Sequence, residues 1–543
     1  MTAFPRVLPV GGSALTVEVG DTIDPAVSAR VRALDASLER EPIPGVLEAV
    51  PSYRSLLVVY DPRAAAFAGL AESLLARLAV PGLPAPEGRL QTVPTVYGGE
   101  DGPDLEDVAG RLGIAAGDVI ALHTAGEWTA LMLGFAPGFA YLGLLPPSLE
   151  TPRRSTPRVR VPAGSVAVAG RQTAIYSVAS PGGWNLIGRT SLRMFDPFSA
   201  SPALILPGDR VRFSAVRELP EPSPAGSPPR VASAAAPAVE VVEAGLLTTV
   251  QDAGRPGRRR LGVTWAGPMD AAALADANAT VGNPPASAAL ECTVVGPALR
   301  FLATTAFAWT GADLGPVLHR ADLGAWPVPR GARIRARPGN VLAFTGRGTG
   351  CRAYVALAGG VEVPRVLRSR ATDLGSGFGG FEGRPLRAGD LLVLGAAPPG
   401  EPSIPPSRET EPDAARVRVV LGPQADALEP ESVARLLSEP WTLGADSDRI
   451  GGRLDGPRLK HRGPAEIVSD GMVPGCIQVP PDGRPIVMMA DCPTTGGYPK
   501  VATVVAADLA RLAQAFPGET EVRFEAVDVS EASRLDAAGY AGR

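Results

Sequence analysis

Apolar positions along this chain follow two periods. SALTVEVGD alternates apolar and polar residues, the period-two mark of a strand. Val27, Val31, Leu34 and Leu38 then recur at helical spacing, behind Asp24 as a capping residue and Pro25 at the first helical position. SLLVVYDP predicts a buried strand stopped by Asp61 and Pro62, and AAAFAGLAESLLARLA a second helix. The order β-α-β-α predicts a small α/β domain over 1–95. DLEDVAGRLG predicts a short helix, and 119–125 a strand carrying His123. From there on, apolar runs shorten to strand length between turns.

ELPEPSPAGSPPRVASAAAPA has no periodicity and predicts a linker over 218–238. GAAPPGEPSIPPSRETEPDAA predicts a second break, between 395 and 416. The expected units are the α/β domain, β-barrels over 96–217 and 416–530, and a β-rich domain over 239–395. Two stretches share a frame. VRVPAGSVAVAG, SPGGWNLIGRT and LPGDRVRFSAV in the first half match IQVPPDGRPIVMMAD, TTGGYPKVATV and FPGETEVRFEAV in the second. The order is the same, so one β-rich module is used twice. The fold class is α+β, mostly β. In this frame Lys500 stands opposite Leu186, beside Gly496 and Gly497. Free backbone N–H groups and a cation predict an anion nest there; a solvated turn lysine is the bland alternative.

Composition narrows the function. Of 543 residues, 45% are hydrophobic and 20% charged, and the formal net charge is -4. That balance invites neither nucleic acid nor an anionic membrane. No apolar run reaches the ~18 residues of a membrane span. No charged segment leads into an apolar core at the start, so a cytoplasmic protein is expected. The four cysteines form no CxxC pair and only three histidines exist, so no metal site is expected.

Candidate chemistry gathers in glycine-flanked segments. In GFAPGFAYLG, the rings of Phe135, Phe139 and Tyr141 are either barrel core or one wall of a pocket. Gly182, Gly183 and Trp184 form a turn, and Gln172 and Tyr176 offer uncharged donors. Arg154 and Arg158 suit a carboxylate or phosphate, or sit on the surface. The second half adds Gln251, Asp252, Arg255, Asp270 and Glu291, then Gln478, Thr494, Thr495 and Tyr498 around Gly496 and Gly497. The candidate catalytic groups are His123, Asp313, Arg449 and Lys500; Asp–Arg pairs that staple loops are the alternative for the charged ones. No GxxxxGK[ST] loop and no GxSxG elbow occurs.

These motifs resemble a known family. VEVGDTIDPAVSARVRAL, MLGFAPGFAYLGLLPP and YSVASPGGWNLIGRT resemble allophanate hydrolase subunit 1, a group that includes Kip-type kinase inhibitors as well as the 5-oxoprolinase B subunit. LLTTVQDAGRPGRRRLGVTWAGPMD, SDRIGGRLDGP and IQVPPDGRPIVMMADCPTTGGYPK resemble allophanate hydrolase subunit 2, a group that includes the 5-oxoprolinase C subunit. In carboxyltransferase terms the first half is expected to be subdomains A and B, the second C and D. The resemblance implies cyclophilin-like barrels and a fused B/C component of ATP-dependent 5-oxoprolinase. That component would use ATP with Mg2+ on a small amide and need a separate protein like the 5-oxoprolinase A subunit. A carboxyltransferase for urea or a similar amide, served by a biotin carrier in trans, is the alternative. A regulator binding a histidine kinase is the second. No A-M-K-M motif occurs, so no covalent biotin is expected on this chain. Two barrels with flat faces would suit a homo-oligomer.

Overall fold

The structure is a computed structural model that describes residues 4–222, 224–227, 236–397 and 416–539. The middle of the predicted linker, at 223 and 228–235, and most of the second break, at 398–415, lie outside the described residues.

The first unit is a four-stranded antiparallel sheet, in the order Arg6–Pro9, Ala14–Glu18, Ser55–Tyr60, Val46–Pro51. Helices Pro25–Arg40 and Phe67–Leu78 cover one face. Asp24 caps the first helix, accepting from the Ala26 and Val27 N–H groups at 2.7 and 3.2 Å. The predicted β-α-β-α order misses the two edge strands. Both are only partly buried, so neither shows a clean alternation.

A closed seven-stranded barrel follows, from Leu90–Tyr97 to Arg210–Ala215, sealed by the parallel pairing of those two strands. The segment at 119–125 is not a strand. It belongs to helix Ala116–Thr124, with His123 in its last turn. Two packed sheets of six and five strands form the third unit, with helix Ala271–Val281 on the outer face of the smaller. A second closed seven-stranded barrel runs from Arg416–Leu421 to Glu521–Ala526, again closed by a parallel pair.

The duplication is reproduced strand for strand: counted along the chain, both barrels have the same order of neighbours. Each also carries a two-stranded flap, Arg158–Val161 with Ser180–Gly182 in the first and Asp470–Gly471 with Thr495–Gly496 in the second. The halves are packed together. The core of the first barrel takes in Val263, Val366 and Phe378 from the second half. Glu48 accepts from the Arg259 N–H at 2.6 Å and from the Trp265 indole at 2.8 Å. No described helix is long and apolar enough to cross a membrane.

Candidate functional site

The GFAPGF loop and the strand after it build a cluster of aromatic rings on the face of the first barrel's strands opposite its core. Phe139 is central, with ring centroids 4.8 Å from Tyr141, 5.2 Å from Tyr176 and 6.2 Å from Trp184. Tyr53, from the α/β domain, stands 5.8 Å from Tyr141. Edge-to-face packing of this kind fixes ring positions as well as burying area. Phe139, Tyr176 and Trp184 are buried, while Phe135 is 41% exposed at the solvent edge of the cluster. Phe135 holds a φ of 67°, a conformation that costs a bulky residue energy and marks a constrained loop.

The second half closes one side. A Cβ on Gly134 would lie 2.1 Å from the Thr495 hydroxyl, so only glycine lets the two turns meet. Val468 packs beside Tyr53 and Tyr141. Gly182 has a similar reason, because a Cβ there would lie 2.1 Å from the Tyr176 hydroxyl.

The polar groups of the cluster are neutral, with the charges of Arg153 and Arg158 nearby. Gln172 donates to the Tyr53 hydroxyl at 2.7 Å. Burial pushes the Tyr53, Tyr141 and Tyr176 hydroxyls above the usual range, while the charge of Arg153 pulls all three back. Arg153 is exposed and forms no ion pair among the described residues. The arginines expected to grip a ligand are already engaged: Arg154 and Arg158 each donate to Asp104 at 2.8 Å. Despite burial, the hydrogen bonds from Arg158 and the Leu186 N–H hold the Asp104 carboxyl below its ordinary range. Sequence reading singles out neither Arg153 nor Tyr53. RRSTPR gives no sign of which arginine is free, and Tyr53 lies in another domain.

A second cluster lies wholly in the second half. Arg449 sits between Asp491, bound through both oxygens at 2.9 Å, and Glu291, and it also donates to the Gly267 carbonyl. Glu291 accepts from the Tyr354 hydroxyl at 2.7 Å and the Met269 N–H at 2.8 Å. Asp270 caps helix Ala271–Val281 and accepts from Gln514. Burial, with Asp373 and Glu291 nearby, pushes the Asp491 carboxyl up to about 6 against the pull of Arg449. The structure thus brings Asp270, Glu291 and Arg449 together and adds Tyr354, Asp491 and Gln514. The chain runs from Asp491 directly through Thr494 to Thr495 beside Gly134 of the aromatic cluster, so one segment joins both clusters.

Several expectations change. Lys500 is neither in an anion nest nor solvated. It is 1% exposed and donates to Asp470 and to the Gly471 carbonyl, both at 2.7 Å. Gly496 pairs with Asp470 across the flap, and the Gly497 carbonyl accepts from the Ile467 N–H. Neither glycine has a positive φ; Gly496 is needed for its close approach to Gln478 and Met472. Gln478 donates to the Tyr498 carbonyl, and Thr494 is buried.

His123 is in the core of the first barrel. The Thr173 hydroxyl donates to the Ala167 carbonyl, so Nε2–H of His123 donates to Thr173, and Nδ1 accepts from Tyr97. Burial pushes its imidazole down to about 3, which keeps it neutral. Asp313 accepts from the Gly315 N–H at a strand end, away from either cluster. Asp252 staples Ser369 and Arg370. Gln251 is buried beside Thr249, and Arg255 lies over the Phe378 ring. The Gly183 carbonyl accepts from the Arg154 N–H at 2.8 Å, and a Cβ there would meet Pro157.

Two family descriptions match this chain. "Carboxyltransferase domain, subdomain C and D" covers residues 5–205 and "Carboxyltransferase domain, subdomain A and B" covers 261–526. The lettering therefore runs opposite to the expected order, while the division into halves stands. The 5-oxoprolinase C subunit of Escherichia coli is 38% identical over 276 residues, 51% of this chain and 87% of that protein. The 5-oxoprolinase B subunit of Bacillus subtilis is 39% identical over 229 residues, 40% of this chain and 95% of that protein. Among solved structures, TTHA0988 superposes with a TM-score of 0.83 at 39% identity, covering 94% of this chain and 99% of its own. The Kluyveromyces lactis urea carboxylase superposes with a TM-score of 0.52 at 30% identity, over 57% of this chain and 30% of its own. The chain belongs to the carboxyltransferase-domain family of the 5-oxoprolinase B and C subunits, with counterparts of both joined in one polypeptide.

Proposed function

We propose that this chain is the fused B/C component of an ATP-dependent 5-oxoprolinase, working in the cytoplasm with a partner of the 5-oxoprolinase A type. The observation that carries this reading is the aromatic cluster of the B-like half, met at Gly134 by Thr495 of the C-like half. 5-Oxoproline is a flat five-membered lactam bearing a carboxylate. Rings would hold its faces, Arg153 would pair with the carboxylate, and the neutral tyrosine hydroxyls would donate to the lactam oxygen. Opening a lactam requires stabilised charge on that oxygen, and ATP supplies the activation. Among the described residues no cluster of three or more His, Cys, Asp or Glu side chains suits a metal. Magnesium would accordingly arrive on the nucleotide phosphates.

The test is glutamate release from 5-oxoproline and ATP, using this chain alone, the A-type protein alone, and the two mixed. Activity only in the mixture is expected. Silence in all three, with an A-type protein known to be competent, overturns the reading. A second reading, a carboxyltransferase fed by a biotinylated carrier, is favoured by the likeness to urea carboxylase over 57% of this chain. Co-purification of a biotinylated protein would support it.

A further inference from the structure

A cleft of about 1200 Å³ opens between the first barrel and the third unit. The first barrel contributes 177–179 and 189–193, the third unit 361–364 and 376–383, and Leu219 and Pro222 at the start of the linker form a rim. Its size exceeds what a lactam needs. Small-molecule sites of roughly 300–1,000 Å³ already enclose most of a drug-sized ligand.

The lining has three kinds of group. Phe198 and Phe381 are half-buried rings, above a floor of Phe195 and Phe378, whose centroids are 6.1 Å apart. Gly377 holds a positive φ with open space where a Cβ would stand, so its backbone is bare as a closely approaching ligand requires, whereas Gly379 and Gly380 turn toward Ala371, Arg255 and Thr372. On the barrel side, Arg193 is exposed and has no ion pair among the described residues, and Arg189 only reaches Asp101 at 3.8 Å. Beside them the buried hydroxyls of Ser177 and Ser191 have no hydrogen-bond partner. Buried polar atoms are ordinarily satisfied. Flat rings, the bare backbone at Gly377, a free cation and orphaned hydroxyls together describe a ligand with a flat heterocycle and an anionic tail.

We propose that this cleft binds a nucleoside phosphate, with the base against Phe198 and Phe381 and the phosphates toward Arg193 and Arg189. The proposal rests on the ATP dependence argued above and gives it a location. Val178 lines the cleft and also packs against the aromatic cluster, and Tyr176 belongs to that cluster. Segment 176–179 therefore borders both sites, so nucleotide and lactam would meet across it. Each half supplies one wall, so neither half alone would hold the nucleotide.

The test is equilibrium binding of mant-ATP with magnesium to the full chain, together with hydrogen exchange. Expected are saturable binding, protection of 177–179 and 376–383, and about tenfold weaker affinity in Arg193→Ala, with mant-adenosine affinity little changed. Unchanged mant-ATP affinity in Arg193→Ala, protection elsewhere, or no binding overturns the site. Binding and protection here without lactam cleavage in the mixed assay would retain the site and reject the 5-oxoprolinase reading. Lactam cleavage with nucleotide binding insensitive to Arg193 would do the reverse.

Discussion

The two barrels share one topology and use it for opposite ends. In the first, the glycine-glycine-aromatic turn presents Trp184 to a ring cluster whose outermost member, Phe135, faces solvent. In the second, the equivalent turn runs into Lys500, which is buried against Asp470, and Ser55 of the α/β domain donates to the same carboxylate. One copy gathers neutral rings and hydroxyls; the other buries an ion pair and sets Thr495 against the Gly134 turn of its sibling. The exchange of Leu186 for Lys500 marks where they diverge. A duplicated module need not duplicate a site: a single apolar-to-charged change on the inner end of a strand can convert a binding rim into an internal interface.

The largest effect should come from Lys500. Removing one partner of a buried pair leaves an uncompensated charge and costs about 3–5 kcal/mol. Lys500→Met is expected to lower the unfolding free energy by that amount in denaturant titrations, and Lys500→Met combined with Asp470→Leu to recover a good part of it. A thermal midpoint unmoved by Lys500→Met would mean that the second barrel is not sealed as described. Sequence reading alone points the other way, to a surface cation contributing to activity.

The barrels should also differ in their response to acid. His123 titrates at about 3 in the folded protein, below its ordinary value, so protons bind the unfolded chain first. Stability from its burial is complete above pH 6.5 and is lost as pH falls toward 3, amounting to about 2 kcal/mol by pH 5. His123→Gln should flatten the dependence of stability on pH between 7 and 5. Against the effect of burial, Lys500 and Arg54 hold the Asp470 carboxyl below its ordinary range, so its contribution is lost only further into acid, below about pH 4. Equal slopes in wild type and His123→Gln would remove His123 from the acid response.

The legibility of these features in the sequence follows their range. Asp24, Pro25 and the Val27–Leu38 stripe announce the first helix because capping and periodicity are local. The barrel duplication is readable because turn residues recur in order. His123 reads as a strand residue because helix Ala116–Thr124 is short and buries only Val119 and His123, leaving too little periodicity to outweigh its apolar run. Site residues are recognisable as kinds but not as pairs. Nothing local tells Arg153 from Arg154, since the difference is Asp104, 50 residues away from Arg154. Lys500 looks solvated because its partner, Asp470, lies on another strand.

That distinction among arginines gives the next prediction. Arg153→Ala should raise the KM for 5-oxoproline about tenfold or more, the range of a lost charge-assisted contact, with an unchanged thermal midpoint. Arg158→Ala should instead lower the midpoint, because it releases Asp104 and with it the flap strand. If both variants affect KM alike, the basic strap acts as a diffuse field and the division between free and engaged arginines fails.

The smallest effect is expected at the solvent edge of the cluster. Phe135 is its exposed ring and holds a φ of 67°. Glycine adopts that conformation freely, so Phe135→Gly relieves strain while losing an exposed side chain and giving the unfolded chain more freedom; the net stability change should stay within about 1 kcal/mol. Were the loop only a barrel end, activity would be equally insensitive. Were the ring a wall of the site, KM would rise while stability held. Phe139→Leu separates the effects further, because Phe139 is buried among four other rings and its loss should lower stability and activity together. A Phe135 variant with unchanged KM would place the substrate elsewhere and leave the first barrel's aromatic cluster a packing feature, as closed as the second.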